Sequence, residues 1–232
     1  MKKALCVLIV LALMLTGTTA AFAEPPQKNA VRELYSAEGY YVDDVGNEET
    51  YAYHVPQIVA DTQAAEEINA EIAERFGGRV ENQFRNMEGG YSLWSWHTEW
   101  HAYWNGTQLF LLVTADENGG FHDYAAYGYD FESGSRISNE MILEQRGISE
   151  EEYLENLKEK VQFMFEDMYS QLTEEQREAA GYDEMLEKTL NWQNMEQPML
   201  IGRFGEIETI VKIASLAGAE WYYHLATPFV YG

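Results

Sequence analysis

Basic residues are scarce in this 232-residue chain: 15 Lys and Arg stand against 39 Asp and Glu, a formal charge of −24. Nucleic-acid binding draws its affinity from cations that displace counterions from phosphates. That function class is excluded, and adsorption to anionic lipid is disfavoured for the same reason. Cysteine is nearly absent as well, with Cys6 the single example, so no intramolecular disulfide can form. Proline is sparse at five. The longest apolar run, Ala4 to Leu15, is roughly 12 residues, short of the ~20 a bilayer-spanning helix needs. Stability therefore has to come from an apolar core, which a chain of this length can bury.

What is present begins with a leader. Lys2 and Lys3 precede that apolar run, and Ala21-Phe22-Ala23 supplies a small-x-small pattern before Glu24-Pro25-Pro26. This is the pattern of a secretory signal peptide over residues 1–23, cleaved near Ala23, and it predicts a secreted or extracytoplasmic protein. Cleavage would remove Cys6, Lys2 and Lys3, leaving a cysteine-free domain more acidic by two charges. A strongly negative surface steers cationic partners toward it, so a basic protein or a cell-wall component is the expected partner, with no membrane span in the mature form.

Residues 24–39, with paired prolines and polar side chains, read as a flexible leader, and 40–232 as one compact unit whose parts divide near residue 92. Tyr40 to Val45 and Thr50 to Ile58 suggest a hairpin across Gly46-Asn47, with Pro56 at a strand end or edge. Asp61 or Thr62 is positioned to cap a helix that places Ala65, Ile68, Ile72 and Phe76 on one face. Gly77-Gly78 should interrupt it before Val80, Phe84 and Met87 resume the spacing. Asn105-Gly106 marks a two-residue hairpin turn between an alternating segment, Trp94 to Trp104, and an apolar one, Gln108 to Ala115. Tyr124 to Phe131 is a third strand of this block.

From Ser138 the pattern is helical. Ser149-x-x-Glu152 and Thr173-x-x-Gln176 are capping boxes, and Leu154, Leu157, Val161, Met164, Met168 and Leu172 form the expected buried stripe of the helix between them. Strands return at Met199 to Arg203, Glu208 to Ser215 and Trp221 to Ala226. Strands and helices in blocks predict an α+β fold, a mainly antiparallel sheet with several helices packed on one side.

Three constellations are chemical candidates. His97-x-Glu99-x-His101 on a strand would share one face, with the ligand types of an open zinc site, the basis of a metal-assisted hydrolase. The even positions Trp94, Trp96, Trp100 and Trp104 would then be the buried face and leave that row in solvent. The aromatic content of 14% supports a glycan-binding module if those rings are exposed. Gly119, Gly120, His122 and Asp123 form a candidate ligand-binding loop. Asp116-x-Asn118-Gly119 begins like a calcium loop, but Tyr127 stands where an EF-hand needs a carboxylate. No nucleophile with a base and an orienting group is legible, no cofactor is implied, and the expectation is a non-catalytic binding or sensor-type domain.

Several segments together resemble a known domain pair. Tyr51 to Ile58 and the helix carrying Ile68-Asn69 and Ile72 are similar to the first half of the extracytoplasmic pair found in RsiV-type anti-sigma factors and beside PdaC-type peptidoglycan deacetylases. Gly119-Gly120-Phe121-His122, Tyr127 to Phe131, Ser133-Gly134 and Ile137-Ser138-Asn139 are similar to its second half. The likeness spans about residues 40–226. It implies a non-catalytic sensor or binding module, related to one that binds lysozyme, a basic protein. The chain departs from the pattern at Phe121, where a small residue is usual, and across Leu216 to Ala219.

Overall fold

The computed structural model describes residues 29–117, 121–216 and 221–229. Two sheets organise the chain. A six-stranded sheet runs in spatial order β1 (Val31–Val42), β2 (Glu48–Ile58), β3 (His97–Asn105), β4 (Gln108–Glu117), β5 (Phe121–Asp130) and β6 (Ser135–Arg136). Its neighbours are antiparallel except β2 and β3, which pair in parallel over Ala52–His97 and Tyr53–Thr98. A three-stranded antiparallel sheet joins β7 (Met199–Ile201), β8 (Ile207–Ala214) and β9 (Trp221–Ala226). The helices are α1 (Gln63–Ile72), α2 (Gly78–Glu88), α3 (Asn139–Arg146), α4 (Glu150–Met168), α5 (Glu174–Ala179) and α6 (Tyr182–Trp192). The fold is α+β, as its blocked pattern predicts. Among the described residues no helix is long and apolar enough to cross a membrane.

Alternation along the strands divides the apolar residues between two cores. Odd positions of β4 and β5, among them Leu109, Leu111, Val113, Tyr127 and Tyr129, bury against Ala65, Ile68, Ile72, Phe76 and Val80. Even positions Phe110 and Leu112 belong to a second core with β7, β8 and α4. Helices thus flank each sheet on one side, α1 and α2 on the large sheet, α4 and α6 on the small one. In α4 the buried residues are Tyr153, Leu157, Val161 and Phe165, while Met168 is exposed. The stripe is rotated from the expected one because the Tyr153 hydroxyl reaches Thr209 Oγ1 on β8 at 2.8 Å, which a tyrosine needs when its ring is buried.

Three local expectations change. Residues 31–39 are not a flexible leader but most of β1, with Val59 N donating to Ala30 O at 2.8 Å just before the strand. Pro56 lies opposite Glu33, where the β1–β2 register shifts, and beyond the parallel pairing to β3, so its missing N–H breaks no ladder. Gly77-Gly78 does not break the helix: Ala73–Gly77 form a π-helical turn that runs directly into α2. Gly77 is small for a packing reason, since a Cβ there would meet the Tyr35 ring at 3.1 Å. At the β3–β4 turn the loop is Gly106-Thr107, closed by the Asn105–Gln108 pair. Gly106 takes φ +62° at the first loop position, the place a type II′ turn reserves for glycine.

Candidate functional site

Cross-strand pairing puts Glu38, Tyr40, Ala52, His54, His97, Glu99, His101, Asp116 and His122 on one face of the large sheet. This is the face whose lower part, through Phe110, Leu112, Tyr103 and Tyr124, packs into the second core. The small sheet covers that part alone. His97, Glu99, His101 and His122 remain exposed, and His54 and Asp116 are half-buried.

His97, Glu99 and His101 therefore do share a solvent face. Successive same-face residues on a strand stand about 6.6–6.8 Å apart, too far for three side chains to close on one ion unaided. Among the described residues no group of three His, Cys, Asp or Glu is placed to hold a metal ion. His97 turns instead to Asp116, its Nδ1 3.2 Å from Oδ2. Asp116 Oδ1 accepts from Ser95 Oγ at 3.0 Å, Trp96 N at 2.8 Å and His97 N at 2.7 Å. This carboxylate is thus a clamp that starts β3, not the first ligand of a calcium loop.

The glycine loop separates. Gly119 and Gly120 lie outside the described residues. Asp123 faces away from the open surface and is buried by Arg75 and Arg79. His122 is exposed and sits edge-on to Tyr124, with ring centroids 6.2 Å apart. A cleft of about 440 Å³ opens elsewhere, lined by Met168, Tyr169, Ser215, Leu216, Tyr222 and His224, without His122 or Asp123.

His54 on β2 is held between two carboxylates, Glu38 at 2.9 Å and Glu33 at 3.0 Å. Burial pulls its pKa down, but the hydrogen bonds to Glu38 and Glu33 outweigh it and the net shift is upward.

The feature that sequence reading missed lies at the open end of the sheet. The period-two pattern puts Trp94 on a buried face; it is 66% exposed, because β3 begins only at His97 and Trp94 precedes it in a loop. Its neighbour Tyr91 is 67% exposed, and Val45 of the β1–β2 turn is 82% exposed. Four bonds hold the ring-bearing loop, two to the β1–β2 turn, one to Glu49 of β2 and one to Gln83 of α2. Asp44 N donates to Gly90 O at 3.0 Å, Ser92 Oγ to Asp43 Oδ2 at 2.5 Å, Leu93 N to Glu49 Oε2 at 2.9 Å, and Trp94 N to Gln83 Oε1 at 2.9 Å. The bond from Ser92, working against burial, together with those from Asn47 and Val45, holds the Asp43 carboxyl down to about 2. Gly90, at φ +75°, is required there: a Cβ would collide with the Asp44 carboxyl. The Asp44 carboxyl thereby lies against Gly90, the residue preceding Tyr91. The sequence signal was available in Gly89-Gly90 alone, since alternation continues through Trp94-Ser95-Trp96.

Most cations near these surfaces are already engaged. Arg136 pairs with Glu71 at 2.6 Å, Arg75 and Arg79 with Asp123, and Lys212 lies 4.6 Å from the Trp192 ring. No protein-family model matches the chain, and no curated protein matches it.

Proposed function

We propose that this chain is an extracytoplasmic, non-catalytic binding domain whose partner is a cationic protein or a basic component of the cell envelope. The observation that carries the proposal is a loop that exposes both Tyr91 and Trp94 and is tied through Gly90 to the acidic β1–β2 turn, where the Asp44 carboxyl lies against Gly90. An aromatic face attracts an ammonium or guanidinium group by about 0.5–1 kcal/mol in solvent and about 2 kcal/mol when desolvated. A neighbouring carboxylate favours the same groups, so lysine or arginine of a partner satisfies both. The charge of −24 supplies long-range steering toward such a partner. The secretory leader over residues 1–23 and the likeness to the RsiV-type domain pair support the same reading of address and role. Calorimetric titration with lysozyme and with other basic proteins, at physiological salt, tests it. Micromolar binding that weakens as salt rises is expected; absence of heat with every basic probe overturns it.

Trp94 also favours a second reading, a glycan-binding module. Exposed tryptophan and tyrosine faces stack on sugar rings, and the flanking carboxylates can accept from hydroxyls. Titration with cell-wall glycan fragments separates the two, because stacking on a neutral sugar is insensitive to salt.

A further inference from the structure

The chain has five histidines, and four of them share one face of the large sheet. His54 on β2, His97 and His101 on β3 and His122 on β5 belong to the open face by register. His224 on β9 approaches that face from the small sheet, close enough for His122 to act on it electrostatically. His224 also lines the cleft beside Met168 and Tyr169.

The carboxylates at the centre of this face each have an imidazole as neighbour. Glu33 and Glu38 flank His54 at 3.0 and 2.9 Å. Asp116 contacts His97 at 3.2 Å and lies opposite His122 across the β4–β5 pair. Glu99 stands between His97 and His101 on the same side of β3. Other charged groups approach only from the margins. Tyr40 lies beside Glu48 on the hairpin, Arg203, Glu206 and Glu208 surround Tyr103, and Arg75 reaches round to the Tyr124 carbonyl at 3.0 Å.

Imidazole is the side chain that changes charge between about pH 5 and 8. While an imidazole is uncharged, its carboxylate neighbour is available to a partner's lysine or arginine. In mild acid the imidazolium pairs with that same carboxylate and adds a positive charge facing the partner. Both effects act against a cationic occupant.

We infer that the open face of the large sheet is an acid-release docking surface, holding a cationic protein near neutral pH and letting it go in mild acid. The inference rests on the cationic-partner reading above and adds its regulation. Distant carboxylates do not account for such release, because ordinary Asp and Glu, with pKa values near 4, stay ionised at about pH 5.5.

The experiment measures affinity for a lysine-rich basic protein, cytochrome c, at about pH 7.5 and about pH 5.5 and constant ionic strength. The wild type is compared with a variant carrying His54→Gln, His97→Gln, His101→Gln and His122→Gln, and with a second variant limited to the exposed His97, His101 and His122, whose substitution leaves the β1–β2 contacts intact. Wild-type affinity is expected to fall about tenfold on acidification, the sum of a few exposed charge pairs, and the variants about twofold or less. An equal fall in wild type and variants overturns acid release and leaves the docking surface standing. Absence of binding at about pH 7.5 overturns the cationic-partner reading, and acid release falls with it.

Discussion

Arg75 and Asp123 form a bidentate pair: Arg75 Nε donates to Asp123 Oδ2 at 3.1 Å and Nη2 donates to Oδ1, while Arg79 Nη2 adds a further bond to Oδ2 at 2.9 Å. Two guanidinium groups from the π turn and α2 thus close on one carboxylate of β5, and fasten the first helical layer to the large sheet. Asp123 stood in sequence as a ligand-loop candidate, and the pair explains its burial without any ligand.

Asp123→Ala should therefore cost stability and spare binding. It leaves Arg75 and Arg79 without their carboxylate, a loss of several kcal/mol for a fully buried pair. Arg75 is 40% exposed and Arg79 22%, so solvent screening reduces the cost to about 1–3 kcal/mol. Urea denaturation measures it. Unchanged affinity for a basic protein, beside a lower midpoint, is the expected pattern; a selective loss of affinity would return Asp123 to the binding surface.

The ring patch should behave oppositely. Trp94→Ala and Tyr91→Ala remove exposed rings that contribute little to either core, so the melting temperature should move by no more than a few degrees. Affinity for a cationic partner should fall by about 1–2 kcal/mol for each, roughly 5- to 30-fold. Gly90→Ala is a geometric control. It forces a side chain into the Asp44 carboxyl at φ +75°, separating the loops with both rings still present, and should weaken binding as much as losing one ring.

How much of this was legible depended on where the apolar pattern was decided by the local period. Ala65, Ile68, Ile72 and Phe76 fall on one helical face in sequence, and each is fully buried. Trp221–Ala226 was bounded to the residue. The failures share a cause: a distant contact overrode the local signal. β1 looks like a polar leader because it is an edge strand with one solvent face, and it is a strand only because β2 pairs with it from Val31 to Val42. The stripe of α4 shifted to Tyr153, whose hydroxyl meets Thr209 56 residues on, and to Phe165, which packs edge-on against Tyr169 and Tyr182. Trp94 read as the first member of a buried row, but Asp116 draws Ser95, Trp96 and His97 onto its carboxylate and starts the strand later. The candidate site shows the same division. The His97–Glu99–His101 row was visible from period two alone, whereas the company of His54 and His122 required the strand order.

The junction of α4 with the small sheet offers a graded test of the second core. Tyr153→Phe removes the 2.8 Å bond and leaves Thr209 Oγ1 unpaired in a buried setting, a cost of about 1–2 kcal/mol. Leu157→Ala, fully buried one turn further on, should cost about 2–5 kcal/mol through the cavity it leaves. Both values come from chemical denaturation of the whole protein. Near-neutral results at both positions would mean that α4 is not integral to the folded core.

Acid should act on the fold through His224, and with a definite sign. Burial, reinforced by the charge of His122, holds the His224 imidazole below its ordinary 6.5, and its Nε2 is buried without a hydrogen-bond partner among the described residues. The folded state therefore favours neutral imidazole. Its contribution is complete above about pH 6.5 and is lost as pH falls from there through the lowered folded value. His54 works in the opposite sense: its folded pKa is raised, so its contribution is complete below about pH 6.5 and fades as pH rises through the folded value. The two are separable by substitution. His224→Phe keeps an aromatic ring that no longer titrates, and should flatten the decline in melting temperature between about pH 7 and 5. His54→Gln should make that decline steeper, because it removes the group that gains from protonation. A decline that is identical in wild type and in both variants would show that neither histidine is linked to folding.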